Sequence, residues 1–249
     1  MRLNKYLSDA GVCSRREADR LVQDGKVTVD GKTAVLGMQI EEGQEIWVNG
    51  KEVRREEKKV LLLFHKPRGI ECTANPKIKN NVISYIDYPI RIYYIGRLDK
   101  DSEGLLLLTN QGELVNKMMR AGNCHEKEYL VTVDKPVTDD FIRKMSCGVP
   151  ILGTVTRKCH VEKTGEKSFC IILTQGLNRQ IRRMCEYLGY RVKRLKRVRV
   201  MNLELGSLPA GQYREATKKE LEELKSLIRD SSETTVIRKN ERRKRDRKS

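Results

Sequence analysis

The chain has 249 residues, with 51 Lys and Arg against 34 Asp and Glu, a formal net charge of +17 and 38% hydrophobic residues. That composition fits a globular protein of one large domain or two smaller ones and excludes full disorder. No apolar run exceeds the five residues 60–64, where a bilayer-spanning helix needs about 20, so a membrane-spanning helix is excluded and no membrane partner is expected.

The opening Met1-Arg2-Leu3-Asn4-Lys5-Tyr6 breaks its apolar residues with polar ones and has no signal-peptide core, which points to a cytoplasmic protein. Leu3, Tyr6 and Leu7 share one helical face, and Gly11 ends that short helix. Ser14-Arg15-Arg16-Glu17 has the spacing of a capping box, so a second helix starts there. Ala18, Leu21 and Val22 are its buried stripe and Gly25 its stop. Arginines at a helix head offer phosphates both positive charge and free amides. Residues 26–32 alternate and turn at Asp30-Gly31, a hairpin signal, and the small sheet is expected to end near Val48. Residues 49–59 are charged, with Val53 their apolar side chain, and read as a linker.

From residue 60 the pattern changes. Short apolar runs at 60–64, 105–108, 129–133 and 169–173 read as strands, with helical patterns at 113–120, 138–145, 178–188 and 218–228. Their irregular alternation predicts an α+β domain over 60–230, with a mixed, largely antiparallel sheet flanked by helices. Residues 231–249 form a basic tail expected to be disordered.

Residues 1–50 hold seven bases against eight acids, whereas 179–199 hold nine bases and the single acid Glu186. Such a stripe suits a polyanion, with nucleic acid the leading partner. The seven cysteines lack any C-x-x-C pair and read as reduced thiols, and no metal is expected. No phosphate-binding loop, dinucleotide fingerprint, H-E-x-x-H or G-x-S-x-G occurs. The densest remaining acids lie in Gly96-Arg97-Leu98-Asp99-Lys100-Asp101-Ser102-Glu103-Gly104, a loop before a buried strand. Carboxylates so placed suit catalysis, a metal or plain hydration, and spacing does not choose among these.

Residues 1–48, through Arg2-Leu3-Asn4-Lys5-Tyr6-Leu7, Cys13-Ser14-Arg15-Arg16-Glu17-Ala18 and Gly25-Lys26-Val27-Thr28-Val29-Asp30-Gly31, resemble an S4 (αL-type) RNA-binding domain. The resemblance implies that Lys5, Arg15, Arg16, Arg20 and Lys26 face RNA. The 96–104 loop is in turn similar to the signature of the pseudouridine synthases of the RsuA/RluB/RluE/RluF group. Further matches are His65-Lys66-Pro67-Arg68-Gly69, His125-Glu126-Lys127-Glu128-Tyr129-Leu130-Val131 and Gly176-Leu177-Asn178-Arg179-Gln180-Ile181-Arg182-Arg183-Met184. Within the group the chain looks most like the RluF subgroup, which acts on large-subunit (23S) ribosomal RNA.

The resemblance implies isomerisation of uridine to pseudouridine in structured RNA, without a cofactor, by a monomer. Ribosomal RNA is the implied partner, with transfer RNA a further substrate class. Asp99 falls on the catalytic aspartate, Arg182 on the arginine paired with it, and Tyr129 on the tyrosine that lies against the uracil. By periodicity alone Tyr129 is equally a core residue. Arg97 falls on the residue that fills the place of the flipped nucleotide. Lys66, with Pro67, is read as shaping the site and counted with the RNA-binding residues, since a fixed turn beside a lysine can hold a loop or a phosphate. Arg179, Arg183, Arg191, Lys193, Arg194, Lys196, Arg197 and Arg199 would grip the RNA backbone. A carboxylate suits the reaction because it can add to base C6, or capture C1′, and leave again. A neighbouring arginine keeps such a group ionised and oriented, so contact between Asp99 and Arg182, distant in sequence, is the sharpest structural expectation. The competing readings are a non-catalytic RNA-binding or ribosome-assembly factor and a DNA-binding regulator, the latter lacking a helix-turn-helix.

Overall fold

The computed structural model describes residues 1–54, 58–119, 124–229 and 231; the expected tail beyond 231 and the middle of the expected linker lie outside the described residues. Two short helices, α1 (Leu3–Asp9) and α2 (Arg15–Gln23), open the chain. Ser14 Oγ caps α2 by accepting from the Glu17 amide at 3.2 Å, while Glu17 turns its own carboxylate to Arg20 at 3.3 Å. Half of the expected capping box therefore forms. Beside the helices, β1 (Val27–Val29), β2 (Lys32–Thr33), β3 (Ile46–Val48) and β4 (Lys51–Glu52) make a sheet ordered β2-β1-β3-β4. Asp30 and Gly31 turn β1 into β2 with φ of 49° and 75°, the left-handed pair that matches a two-residue hairpin to the strand twist.

The sheet does not end at Val48. Asn49 and Gly50 repeat the same left-handed turn, β4 pairs back on β3, and the Val53 amide donates to Ile46 O at 2.8 Å. The first part of the expected linker is thus built into the sheet. Leu3, Leu7, Ala18, Val22, Val27 and Ile46 close a small core beneath it.

The second module begins with β5 (Leu61–Lys66), α3 (Val82–Ile86), β6 (Tyr93–Ile95), β7 (Glu103–Thr109), α4 (Gly112–Met119), β8 (Lys127–Val133) and α5 (Asp139–Cys147). A hairpin of β9 (Pro150–Ile151) and β10 (Thr154–Val155) follows, then β11 (His160–Gly165), β12 (Ser168–Leu173) and α6 (Gln180–Tyr187). The module ends with β13 (Val192–Val200), β14 (Leu203–Glu204), β15 (Tyr213–Glu215) and α7 (Lys218–Leu227). Among the described residues nine of these strands join one sheet, ordered β11-β12-β8-β13-β7-β5-β15, with β14 beside β13 and β6 beside β7. The pairing of β13 with β7 is parallel and the others in this sheet are antiparallel, so the architecture is α+β with a mixed, largely antiparallel sheet.

Both faces of the sheet are covered, which is why β5 and β7 read as unbroken apolar runs. Leu61, Leu63, Leu105 and Leu107 pack with Leu224 of α7, while Leu62, Phe64, Leu106 and Leu108 face Val82 and Ile86 of α3. Phe141 and Met145 of α5 and Ile181 and Met184 of α6 cover β8 and β12 through Val131, Phe169 and Ile171. The two modules meet where Tyr93 OH donates to Ser8 O at 2.7 Å and Lys5 pairs with Glu113 at 2.9 Å. Lys5, expected to face RNA, is engaged here in tying α1 to α4. No helix among the described residues is long and apolar enough to cross a membrane.

Gly104 marks where β7 and β13 come together. It sits at φ 107° opposite Arg197, and a Cβ there would lie 2.6 Å from the Arg197 amide nitrogen. Gly104→Ala is expected to destabilise the protein by about 3 kcal/mol or more, measured as a fall in the urea midpoint, because left-handed strain and a backbone collision must both be relieved.

Candidate active site

A cavity of about 350 Å³ is lined by the loop between β6 and β7, by β8 and β13, and by the segment leading into α6. The loop is tied down along its length: Leu98 is buried, its amide donates to Cys72 Sγ at 3.4 Å, and the Ser102 amide donates to Asp99 O at 3.0 Å. The Gly69 amide donates to Lys100 O at 2.8 Å. A loop held at several backbone points keeps its acid in one place. The three carboxylates that spacing left equivalent now separate. Asp101 is exposed, Glu103 pairs with Arg194, and Asp99 lines the cavity with 31% of its side chain accessible.

α6 supplies the opposing charge. Ile181, Met184 and Cys185, at helical spacing, enter the core and leave Arg182 on the flank that meets the loop. Arg182 Nε lies 3.8 Å from Asp99 Oδ2, and Arg179 Nη1 lies 3.5 Å from the same oxygen. The expected contact between Asp99 and Arg182 is therefore present. Arg182 Nη2 also donates to Asp101 O and Ser102 Oγ, each at 3.2 Å, so the guanidinium clamps the loop while facing its carboxylate. Burial, followed by the charge of Arg179, pushes Arg182 below the ordinary arginine value, with Asp99 acting in the opposite sense. Arg179, at the N-terminal end of α6, holds a left-handed φ of 49°, and such strained backbone gathers at functional sites.

Tyr129 is placed between core and cavity. It is half-buried, packs at the junction of two cores and lines the cavity. Opposite it on β13 stands Arg197. The basic stripe divides between α6 and the central strand β13, and two residues of that strand expected to grip the RNA backbone are engaged within the protein. Arg197 is 3% exposed, with Nε donating to Leu105 O at 2.7 Å, and Arg199 is held by Glu128 at 2.7 Å and Glu126 at 3.1 Å. Lys66 is likewise no RNA contact: it is fully buried and donates to Pro67 O and Ile70 O, tying its own loop.

The remaining basic residues stay on accessible ground. Arg97 and Arg179 are exposed at the cavity, and Arg191, Lys193 and Arg194 are exposed nearby in sequence, the last paired with Glu103. Lys196 is half-buried, and Arg183 bonds to Asn178. In the first module Arg15, Arg16, Arg20 and Lys26 are exposed and none lines the cavity. Lys127 was assigned no role from sequence, yet it lines the cavity two residues before Tyr129. Its signal was a charge at an inward position of an alternating strand, in phase with the buried Val131 and Val133.

The model of the S4 domain matches residues 1–46, and that of RNA pseudouridylate synthase matches residues 60–187. The Escherichia coli (strain K12) protein named dual-specificity RNA pseudouridine synthase RluF is 54% identical over 234 residues, covering 93% of this chain and 81% of that one. The Bacillus subtilis (strain 168) ribosomal large subunit pseudouridine synthase B is 38% identical, covering 91% of this chain and 96% of that one. A crystal structure of pseudouridylate synthase is 27% identical with a TM-score of 0.66, covering 90% of this chain and 99% of that one. These likenesses run through both modules and through the loop, strand and helix that build the cavity. The chain belongs to the RNA pseudouridylate synthase family, with an S4 domain ahead of the synthase domain.

Proposed function

We propose that this protein isomerises a specific uridine of large-subunit (23S) ribosomal RNA to pseudouridine, with Asp99 as nucleophile. Transfer RNA is the second substrate class, and the enzyme works in the cytoplasm as a monomer. The observation that carries the reading is Asp99 at a cavity beside Tyr129, with guanidinium groups 3.5 and 3.8 Å from one carboxylate oxygen. The target base leaves its stack, enters the cavity and lies against Tyr129, whose ring offsets part of the unstacking cost. The bond from C1′ to N1 breaks while Asp99 adds to C6 or captures C1′. The uracil turns, C5 joins C1′, the proton on C5 is lost and N1 gains one. Arg182 holds the carboxylate aimed, and Arg97 fills the space the nucleotide vacated. No atom is gained or lost, so the reaction calls for no cofactor.

The test is release of tritium from C5-labelled uridine in unmodified ribosomal RNA, with pseudouridine mapped across total cellular RNA in the presence and absence of the protein. Release and the loss of a defined position are expected. An absence of release would turn the reading to an RNA-binding factor. Arg15, Arg16 and Lys193 are exposed, and replacing all three by Gln is expected to weaken RNA binding and flatten the slope of log affinity against log salt by roughly 2 to 3. A salt titration of affinity checks this, and an unchanged slope would take these residues off the RNA-facing surface.

A further inference from the structure

We infer that Lys127 and Arg197 form a cationic floor that holds the uracil while it carries negative charge between leaving and rejoining C1′. This rests on the isomerase reading above and assigns two residues beyond Asp99, Tyr129 and Arg182. Arg197 is the cross-strand neighbour of Tyr129, and Lys127 lies two residues from Tyr129 on the same face of β8. Both line the cavity that Asp99 lines. Each has donor capacity left over. Lys127 Nζ donates to His125 O at 3.0 Å with one of its three protons, and Arg197 Nη2 is buried without a hydrogen-bond partner.

Two neighbouring cations withdrawn from water work against each other. Burial, and then the Arg197 charge, push Lys127 down to about 8. Such a pair destabilises the resting fold and becomes favourable when negative charge arrives beside it. The isomerisation brings that charge. When the bond from C1′ to N1 breaks, its electron pair stays with N1 and spreads over O2 and O4. The base then turns, C5 donates its electrons to C1′, the C5 proton is lost and a proton returns to N1, so no further reagent enters. An anion that must rotate exchanges one carbonyl for the other at any fixed point. Two adjacent cations with spare N–H groups can keep contact with it throughout.

The test uses the full chain and its target transcript. Lys127→Met keeps the stem and removes the charge. The single-turnover rate of tritium release should fall by about 10²-fold, the loss seen when one donor to a developing oxyanion is removed. RNA affinity should stay within about two-fold, and the thermal midpoint should be equal or higher because a buried like-charge pair is gone. A second transcript carries 5-fluorouridine at the target, where fluorine makes the N1 anion intrinsically more stable. Loss of that nucleoside, followed in nuclease digests, should show a deficit at least about five-fold smaller, as the variant then lacks less of what the transition state needs. An undiminished rate, or the same deficit on both transcripts, overturns the inference. Weakened RNA affinity with a flattened salt slope also overturns it, marking a phosphate site. If the wild type releases no tritium, the isomerase reading fails and this one with it, whereas failure confined to the variant comparison removes the cationic floor alone.

Discussion

Asp99→Asn is expected to lower the single-turnover rate of uridine isomerisation by about 10⁴-fold or more, the scale of loss when a covalent nucleophile is removed. The substitution keeps the shape of the side chain and its place in the loop. What it removes is the charge and the oxygen proposed as nucleophile. The loop itself should persist, because its ties run through the Leu98 and Ser102 amides and through Arg182 to Asp101 O, none of which involves the Asp99 carboxylate. The side chain is 31% exposed, so the urea midpoint should move by no more than about 0.5 kcal/mol in stability terms. RNA affinity should stay within about three-fold, since the Arg179 and Arg182 charges, relieved of their acid, attract phosphates at least as well. Tritium release, filter binding and a urea melt on one preparation separate these quantities. A residual rate above a tenth of wild type would move the nucleophile elsewhere, with the exposed Asp101 the next acid to test.

The two modules were legible in unequal ways. Local chemistry announced itself: Ser14 caps a helix, Asp30-Gly31 turns a hairpin, and the leucines at 105–108 form a strand buried on both faces. The Asn49-Gly50 turn carries the same signal as Asp30-Gly31, but the charged residues after it masked the short strand they form. The larger misreading was the basic stripe. A run such as Val-Lys-Arg-Leu-Lys-Arg-Val-Arg-Val looks solvated because charge dominates it, yet it is the central strand β13. Three of its charges are absorbed by the sheet: Arg199 meets Glu128 across the β8 ladder, Arg194 meets Glu103 and Arg197 meets the Leu105 carbonyl. None of those partners adjoins its arginine in sequence, so composition alone counts as free what the fold has paired. The candidate site shows the same limit. Asp99, Tyr129 and Arg182 come from a loop, a strand and a helix with no common period, and their grouping was legible through family resemblance alone. Lys127 stood inside a quoted motif without a role of its own, and Arg197 was read as a backbone contact; the register of β8 against β13 is what sets Arg197 opposite Tyr129.

Arg182→Met is expected to lower the same rate by about 10³- to 10⁴-fold, nearly as far as loss of the nucleophile, because groups that act as one unit fail together. The guanidinium has two tasks. It places positive charge 3.8 Å from the Asp99 carboxylate, and through Nη2 it fixes the backbone of the loop that carries that carboxylate. Arg182→Lys separates them. An ammonium restores a point charge but not the planar fork that reaches Asp101 O, Ser102 Oγ and Val192 O together, so its rate should fall between those of wild type and Arg182→Met. Should lysine restore the full rate, charge alone is what the site requires and the clamp on the loop has no kinetic weight. The double variant Asp99→Asn, Arg182→Met decides whether the two residues share one step. If Arg182 works by holding Asp99, its loss should matter by less than about three-fold once the carboxylate is gone. If the two defects multiply instead, Arg182 touches the RNA on its own account, in the transition state or in binding, and a second measurement of affinity for the double variant says which.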